Sequence, residues 1–323
     1  MKPWHGLVPV DNFVLEGLPE LVVGKVTFRS FSHFEASFRE KISEYVNITS
    51  NSDEEKAGII QSINTNIVPL FSMAPTCAEV VVESEASRSP ELIDSEVDAS
   101  LNLLRMYTHL LFARDTRPLV GLRGSVVSAP RPCFLFTDVL KDDQEFSFNI
   151  KKVGLLVPYS LNNDRLEHLK THCAFDILSA ALAKPTHSQS QLEKIVITSI
   201  RWLGRGAVAD DPPEKILTMS VALERLLTTD AEKHTDIGDR LAKRLAFLLS
   251  DDLEQRLKIS ERMKDLYGLR SEVVHAGKTA ISMRDIIDLE MLACNAIIAM
   301  AGHLNDWRQH QEFVQWTEHR LFK

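Results

Sequence analysis

The chain is 323 residues long, 44% hydrophobic and 25% charged, a globular composition with room for one large domain or two ordinary ones. A net charge of −8 excludes a surface that grips nucleic acid indiscriminately, because that binding displaces counterions with lysine and arginine. Cys77, Cys133, Cys173 and Cys294 stand far apart with no C-x-x-C pair. Neither a zinc framework nor a disulfide scaffold is indicated, and a reduced cytoplasm fits.

The opening stretch, Met1 to Gly6, leads into no apolar run of signal-peptide length, and Asn295 interrupts the longest late apolar segment, Leu289 to Met300. An unexported protein with no membrane contact is expected. Short β-like runs lie at Phe13–Val14 and Val22–Phe28. From His33 to Val46, Phe34, Phe38, Ile42 and Val46 recur at four-residue steps and predict a helix. Asn47 to Glu54 reads as an exposed loop, Ile59 to Phe71 as a helix or a strand, and Cys77 to Glu83 as a strand. Val97, Leu101, Leu104, Tyr107 and Leu111 place a helix over Ile93 to Phe112. A second β-rich block runs from Gly124 to Tyr159, with strands at Val126–Val127, Cys133–Phe136, Phe146–Ile150 and Val153–Val157. Residues 1–160 are therefore expected to form an α+β domain of antiparallel character. No catalytic constellation stands out in it, and its position suggests recognition or regulation of the C-terminal half.

Around Ser160 to Asp164 the pattern changes to near-continuous helix, with candidates at Arg165–Ala183, Gln189–Leu203, Pro213–Leu227, Asp236–Leu249, Asp251–His275, Ser282–Leu304 and His310–Leu321. Asp251 three before Glu254, and Pro212–Pro213 in a first turn, mark helix starts. Short loops between striped helices imply antiparallel neighbours in a bundle over 161–323.

One of these helices puts a charge where an apolar residue is expected. Leu253, Leu257, Met263, Leu266, Tyr267, Val273 and Val274 describe a stripe at three- and four-residue spacing, and Arg270 falls within it. An arginine there must snorkel out, pair with a carboxylate, or face a polar cleft. His275 comes five residues later, about 140° round an ideal helix, so the two share a face only if the helix is ending. Gly277 is the expected left-handed stop, and Ser282 with Asp285 the N-cap of the next helix. The plain alternative is a cationic helix end offsetting the carbonyl dipole. It accounts for His275 and Gly277, but not for the core-facing phase of Arg270.

Leu266-Tyr267, Arg270, Ser271, His275 and Gly277, preceded by Trp202-Leu203-Gly204, Val221 to Leu227 and Arg240 to Ala246, resemble the HEPN superfamily and specifically its Apea-like branch, over the C-terminal part only. The resemblance implies a helical bundle, a homodimer with a shared cleft, and metal-independent cleavage of RNA with no cofactor, in defence against phage. A protein or phage trigger would act through residues 1–160. Arg270 and His275, with Ser271, are then the catalytic set, Arg270 holding phosphate oxygens and the imidazole moving protons. Glu224 and Tyr267 are the supporting residues. Ser271 departs from the asparagine, aspartate or histidine that many active members carry there; it can hydrogen-bond a phosphate but is not ionisable. A bundle that binds nucleotide, RNA or a protein partner without cleaving is therefore the alternative, and a purely structural dimerisation bundle is a third.

Glu224 and Glu290 both sit in apolar phase and are candidate carboxylates for Arg270, as functional partners or as plain inter-helix ion pairs. His168 and His172 have metal-ligand spacing, but only Cys173 lies nearby and no metal site is expected. Gly121 to Gly124 and Gly204-Arg205-Gly206 read as turns and not as phosphate loops.

Overall fold

A computed structural model of the chain describes residues 2–36, 39–40, 52–68, 75–84, 88–112, 118–122, 131–136, 146–151, 158–229 and 236–321. Its strands are β1 (Lys2–Asp11), β2 (Phe13–Glu16), β3 (Leu21–Val23), β4 (Val26–Arg29), β5 (Thr76–Ser84), β6 (Gly121–Leu122), β7 (Arg131–Phe136), β8 (Phe146–Lys151) and β9 (Tyr159–Asn162). A five-stranded antiparallel sheet has the order β3-β4-β5-β1-β6. The expected strand over Cys77 to Glu83 is β5. The run Val22 to Phe28 is a hairpin instead of one strand, since Gly24 turns the chain at φ +61°.

β1 escapes sequence-based detection because Pro3 and Pro9 break its pattern. Among the described residues β6 pairs with it only at Val10 and Asp11, which leaves most of that side of β1 as an edge, the setting that tolerates proline. Strands β7 and β8 pair as an antiparallel hairpin, as their alternating aromatics suggest. The expected strands at Val126–Val127 and Val153–Val157 lie outside the described residues.

In the first half, residues 31–36 and 39–40 are helical, and the rest of the helix expected to Val46 lies outside the described residues. Helix α1 (Asp53–Ser62) begins inside the expected loop: Ser52 accepts from the Glu55 N–H at 3.1 Å, and Asp53, Glu54 and Glu55 fill a first turn that favours acids. It runs on into a π-helical turn, Ile63–Ile67. Helix α2 (Ser89–Met106) and the short α3 (Thr108–Leu111) occupy the span expected for one helix, and Val97, Leu101, Leu104 and Tyr107 are buried as their phase requires.

Eight further helices complete the description: α4 (Asn163–His172), α5 (Phe175–Ala183), α6 (Gln191–Val208), α7 (Pro212–Leu227), α8 (Ile237–Leu249), α9 (Leu253–Ala276), α10 (Met283–Ala301) and α11 (His310–Leu321). The helix expected over Arg165 to Ala183 is two, because Ala174 adopts φ +54° between them. Gly204 and Gly206 lie inside α6 and not in a turn. A Cβ on Gly204 would stand 2.7 Å from the Asn102 Cα, and one on Gly206 2.9 Å from Met219 Cγ, so both glycines let α6 approach its neighbours.

The boundary expected at residue 160 falls within β9, which pairs in parallel with β2. Buried side chains from Val10 to Val314 form one continuous cluster. Tyr159 donates to the Leu104 carbonyl at 2.7 Å and Tyr107 to that of Cys173 at 2.9 Å, so the sheet-bearing and helical parts share their interior. Among the described residues, no helix is long and apolar enough to cross a membrane.

Candidate functional site around Arg270

Helix α9 carries the site because its ends are well specified. The Asp252 side chain accepts from the Gln255 N–H at 2.8 Å, one residue later than the expected Asp251 start. Gly277 ends the helix at φ +64°, ψ +31°, as expected. Ser282 then caps α10, accepting from Asp285 N–H at 3.1 Å.

The buried stripe of α9 differs from the expected one. Leu253, Leu257 and Val274 are exposed, at 68%, 55% and 48%. The face that packs runs through Arg256, Ile259, Met263, Leu266, Arg270 and Val273, alternating steps of three and four. Arg270 is therefore on the packed face, and so is Arg256. The Nε of Arg256 donates to the Ser250 carbonyl at 2.8 Å, and its guanidinium lies 4.3 Å from the Phe247 ring centroid. That arginine is a structural tie.

Arg270 is held differently. Its Nε lies 3.3 Å from Glu224 Oε1 on α7, the two side chains being 25% and 22% exposed. Both atoms are buried and neither has a partner in hydrogen-bond geometry, so the contact is Coulombic and not an aligned bond. The guanidinium carbon stands 5.6 Å from the Tyr267 ring centroid. Burial first, and then the charge of Glu224, push the Tyr267 phenol above the ordinary range, while Arg270 opposes the shift. The terminal nitrogens of Arg270 make no hydrogen bond among the described residues.

The structure thus brings Glu224, Tyr267 and Arg270 together. Ser271 is half-buried on the next position. His275 is exposed on the last turn of an unbroken helix, so about 140° separates it from Arg270 within one chain. Of the two candidate carboxylates, Glu224 is the partner; Glu290 is buried on α10 and makes no ion pair with Arg270.

Gly238 gives almost no sign of its role along the chain, being a lone glycine in a first helical turn. A Cβ there would meet the Tyr267 ring at 2.9 Å, so the start of α8 presses directly on that ring. Asp239 on the same turn reaches Lys264 at 2.8 Å and fixes α8 against α9. The imidazoles of His168 and His172 stand 5.2 Å apart, and among the described residues no three His, Cys, Asp or Glu side chains gather in a metal-binding group.

Comparison of the chain with protein-family models, curated proteins and solved structures finds no match. The chemistry of the site rests on its own geometry: a cation on a packed face, braced on one edge by a carboxylate and on its face by a ring, with the remaining donors of its fork uncommitted among the described residues.

Proposed function

We propose that the chain is a metal-independent endoribonuclease of the HEPN type acting as a homodimer, with Arg270, Ser271 and His275 as its catalytic set. The observation that supports this reading most is the Arg270 fork, whose position is set by Glu224 and Tyr267 while its terminal nitrogens stay available. A planar fork with two free donors matches two phosphate oxygens, which an ammonium does not. In the reaction the RNA 2′-hydroxyl gives up its proton and attacks the adjacent phosphorus. The bond to the 5′-oxygen breaks and that oxygen takes a proton, leaving a 2′,3′-cyclic phosphate and a 5′-hydroxyl. Arg270 offsets the charge that grows on the phosphoryl oxygens, and an imidazole handles the proton. One histidine serves poorly as both base and acid in a single cleavage. Two copies of the motif facing one cleft supply two imidazoles, and such a cleft also overcomes the separation of Arg270 and His275 round the helix. The α+β part then receives the trigger, as the resemblance implies for a defence protein.

A binding module without cleavage is the second reading. It is favoured by Ser271, which brings no ionisable group, and by the Glu224 carboxylate, which competes with phosphate for Arg270.

The two readings separate when purified protein is incubated with mixed RNA in excess EDTA, alongside His275→Ala and Arg270→Lys. Cleavage that survives chelation, yields cyclic phosphate ends and disappears in both variants, with dimers retained in sedimentation, is the expected result. Intact RNA with parent protein, or wild-type rates in either variant, rejects the nuclease reading.

A further inference from the structure

Helices α6, α7 and α11 meet around a cleft of about 400 Å³, within the roughly 300–1,000 Å³ usual for small-molecule sites. Two of its lining side chains, Lys194 and Arg225, are cationic, and among the described residues no carboxylate lines it, in a chain whose net charge is −8. Among the described residues the Lys194 ammonium has no ion-pair or hydrogen-bond partner.

The polar groups of the cleft sort by the donors and acceptors they have left to offer. The Gln191 carbonyl oxygen accepts the His310 N–H at 3.1 Å, which leaves its amide NH2 as a donor. Gln311 beside it makes no side-chain hydrogen bond among the described residues. Thr198 and Thr228 have already given their hydroxyl protons to the carbonyls of Lys194 and Glu224, both at 2.7 Å, so toward the cleft they present lone pairs. The floor is firm: His310 is 4% exposed and its Nε2 donates to the Leu226 carbonyl at 2.8 Å. The Lys194 ammonium and two amide donors suit anionic oxygens. Two lone-pair-bearing hydroxyls suit a ligand that also carries donors, as a ribose does.

We propose that this cleft binds a phosphate group borne on a nucleoside, either a free nucleotide or a stretch of RNA backbone, at a site separate from Arg270. Arg225 directly follows Glu224 on α7, about 100° round the helix, so the cleft and the Glu224–Arg270 pair occupy neighbouring faces of one helix. Binding here does not depend on the cleavage reading.

Titration calorimetry on the full chain tests it with three probes: ATP, pyrophosphate, and a single-stranded RNA oligomer without terminal phosphates. Parent protein is expected to bind ATP or the oligomer, more weakly as salt rises. Lys194→Glu is expected to weaken that binding at least tenfold. Lys194 is exposed, so this variant should keep the parent circular dichroism, and Lys194→Gln should give an intermediate loss. Binding of ATP together with pyrophosphate assigns the cleft to a free nucleotide, and binding of the oligomer alone to RNA backbone. No binding by parent protein, parental affinity in Lys194→Glu, or loss of ATP binding in Arg270→Lys but not in Lys194→Glu overturns the assignment. The last outcome leaves the nuclease proposal standing, whereas RNA cleavage failing while ATP still binds leaves the nucleotide cleft standing.

Discussion

The Nε of Arg270 and the Oε1 of Glu224 face each other at 3.3 Å across the seam between α9 and α7, within ion-pair distance yet outside hydrogen-bond geometry. A carboxylate so placed orients the guanidinium without consuming its terminal donors. Glu224→Gln removes the competing charge and keeps the shape. Because both side chains are about a quarter exposed, solvent screens the pair, and the change in unfolding free energy should stay within about 1 kcal/mol. RNA affinity at low salt should rise severalfold. Weaker binding by this variant in a filter or anisotropy assay would remove the role of Glu224 as competitor.

Two glycines of the helical part should respond to alanine in opposite directions. At Gly204 the new Cβ would meet Asn102 at 2.5 to 2.7 Å, backbone included, so α2 and α6 must separate at a cost of about 1–3 kcal/mol. At Gly268, just before the site residues on α9, no described atom lies within 4 Å, and alanine should stabilise by up to about 1 kcal/mol through helix propensity. Paired urea titrations check both signs.

Arg105 is a buried arginine with three acceptors around its Nε and Nη1. It lies 2.8 Å from Asp98 Oδ1, 2.7 Å from Asn102 Oδ1 and 2.8 Å from the Val120 carbonyl, and is 4% exposed. Burial lowers its pKa and Asp98 opposes that shift. Arg105→Met strands three acceptors, and a loss of about 3 kcal/mol is expected. Chemical denaturation showing less than about 1 kcal/mol would mean that water replaces the guanidinium at little cost.

Acid should weaken the joint between α9 and α10. Asp285 is held below the ordinary carboxylate range, first by the Ser282 hydroxyl and then by Arg262, whose Nη2 lies 2.6 Å from its Oδ1. A carboxylate with a depressed folded-state pKa contributes stability that is present above its unfolded value of 3.8 and disappears as pH falls through the folded one. Asp285→Asn should therefore melt below parent at pH 7, and the two melting temperatures should converge below pH 3.8. A gap that stays constant down to about pH 2.5 would assign the effect to the cap hydrogen bond and not to charge.

Cys77 should be unreactive in the folded state. It is fully buried in the sheet, and burial pushes its thiol up to about 12. Alkylation at about pH 8 followed by peptide mapping should leave Cys77 unmodified until denaturant is added.

Much of this architecture is local and so could be read along the chain. Gly277 stops α9 because its backbone needs no neighbour to turn left-handed, Ser282 caps α10 through a bond within one turn, and Val97 to Tyr107 bury themselves at the helical period wherever the helix lands. The inward phase of Arg270 was legible in the same way, from its spacing to Leu266, Tyr267, Val273 and Val274, although Val274 itself is exposed. Folding in three dimensions made the other choices. Whether Glu224 or Glu290 meets Arg270 depends on how α7 and α10 are rotated against α9. Leu253 and Leu257 stand in water because the packed face of α9 runs through Ile259 and Met263 instead. Edge pairing let β1 keep two prolines, and the close approach of α2 to Gly204 and of α7 to Gly206 fits a glycine pair that looked like a turn into a helix interior. Periodicity says which residues of an element share a face. The surroundings of that face depend on contacts between residues far apart in the chain, and a rotation of one residue, about 100°, exchanges one set for another.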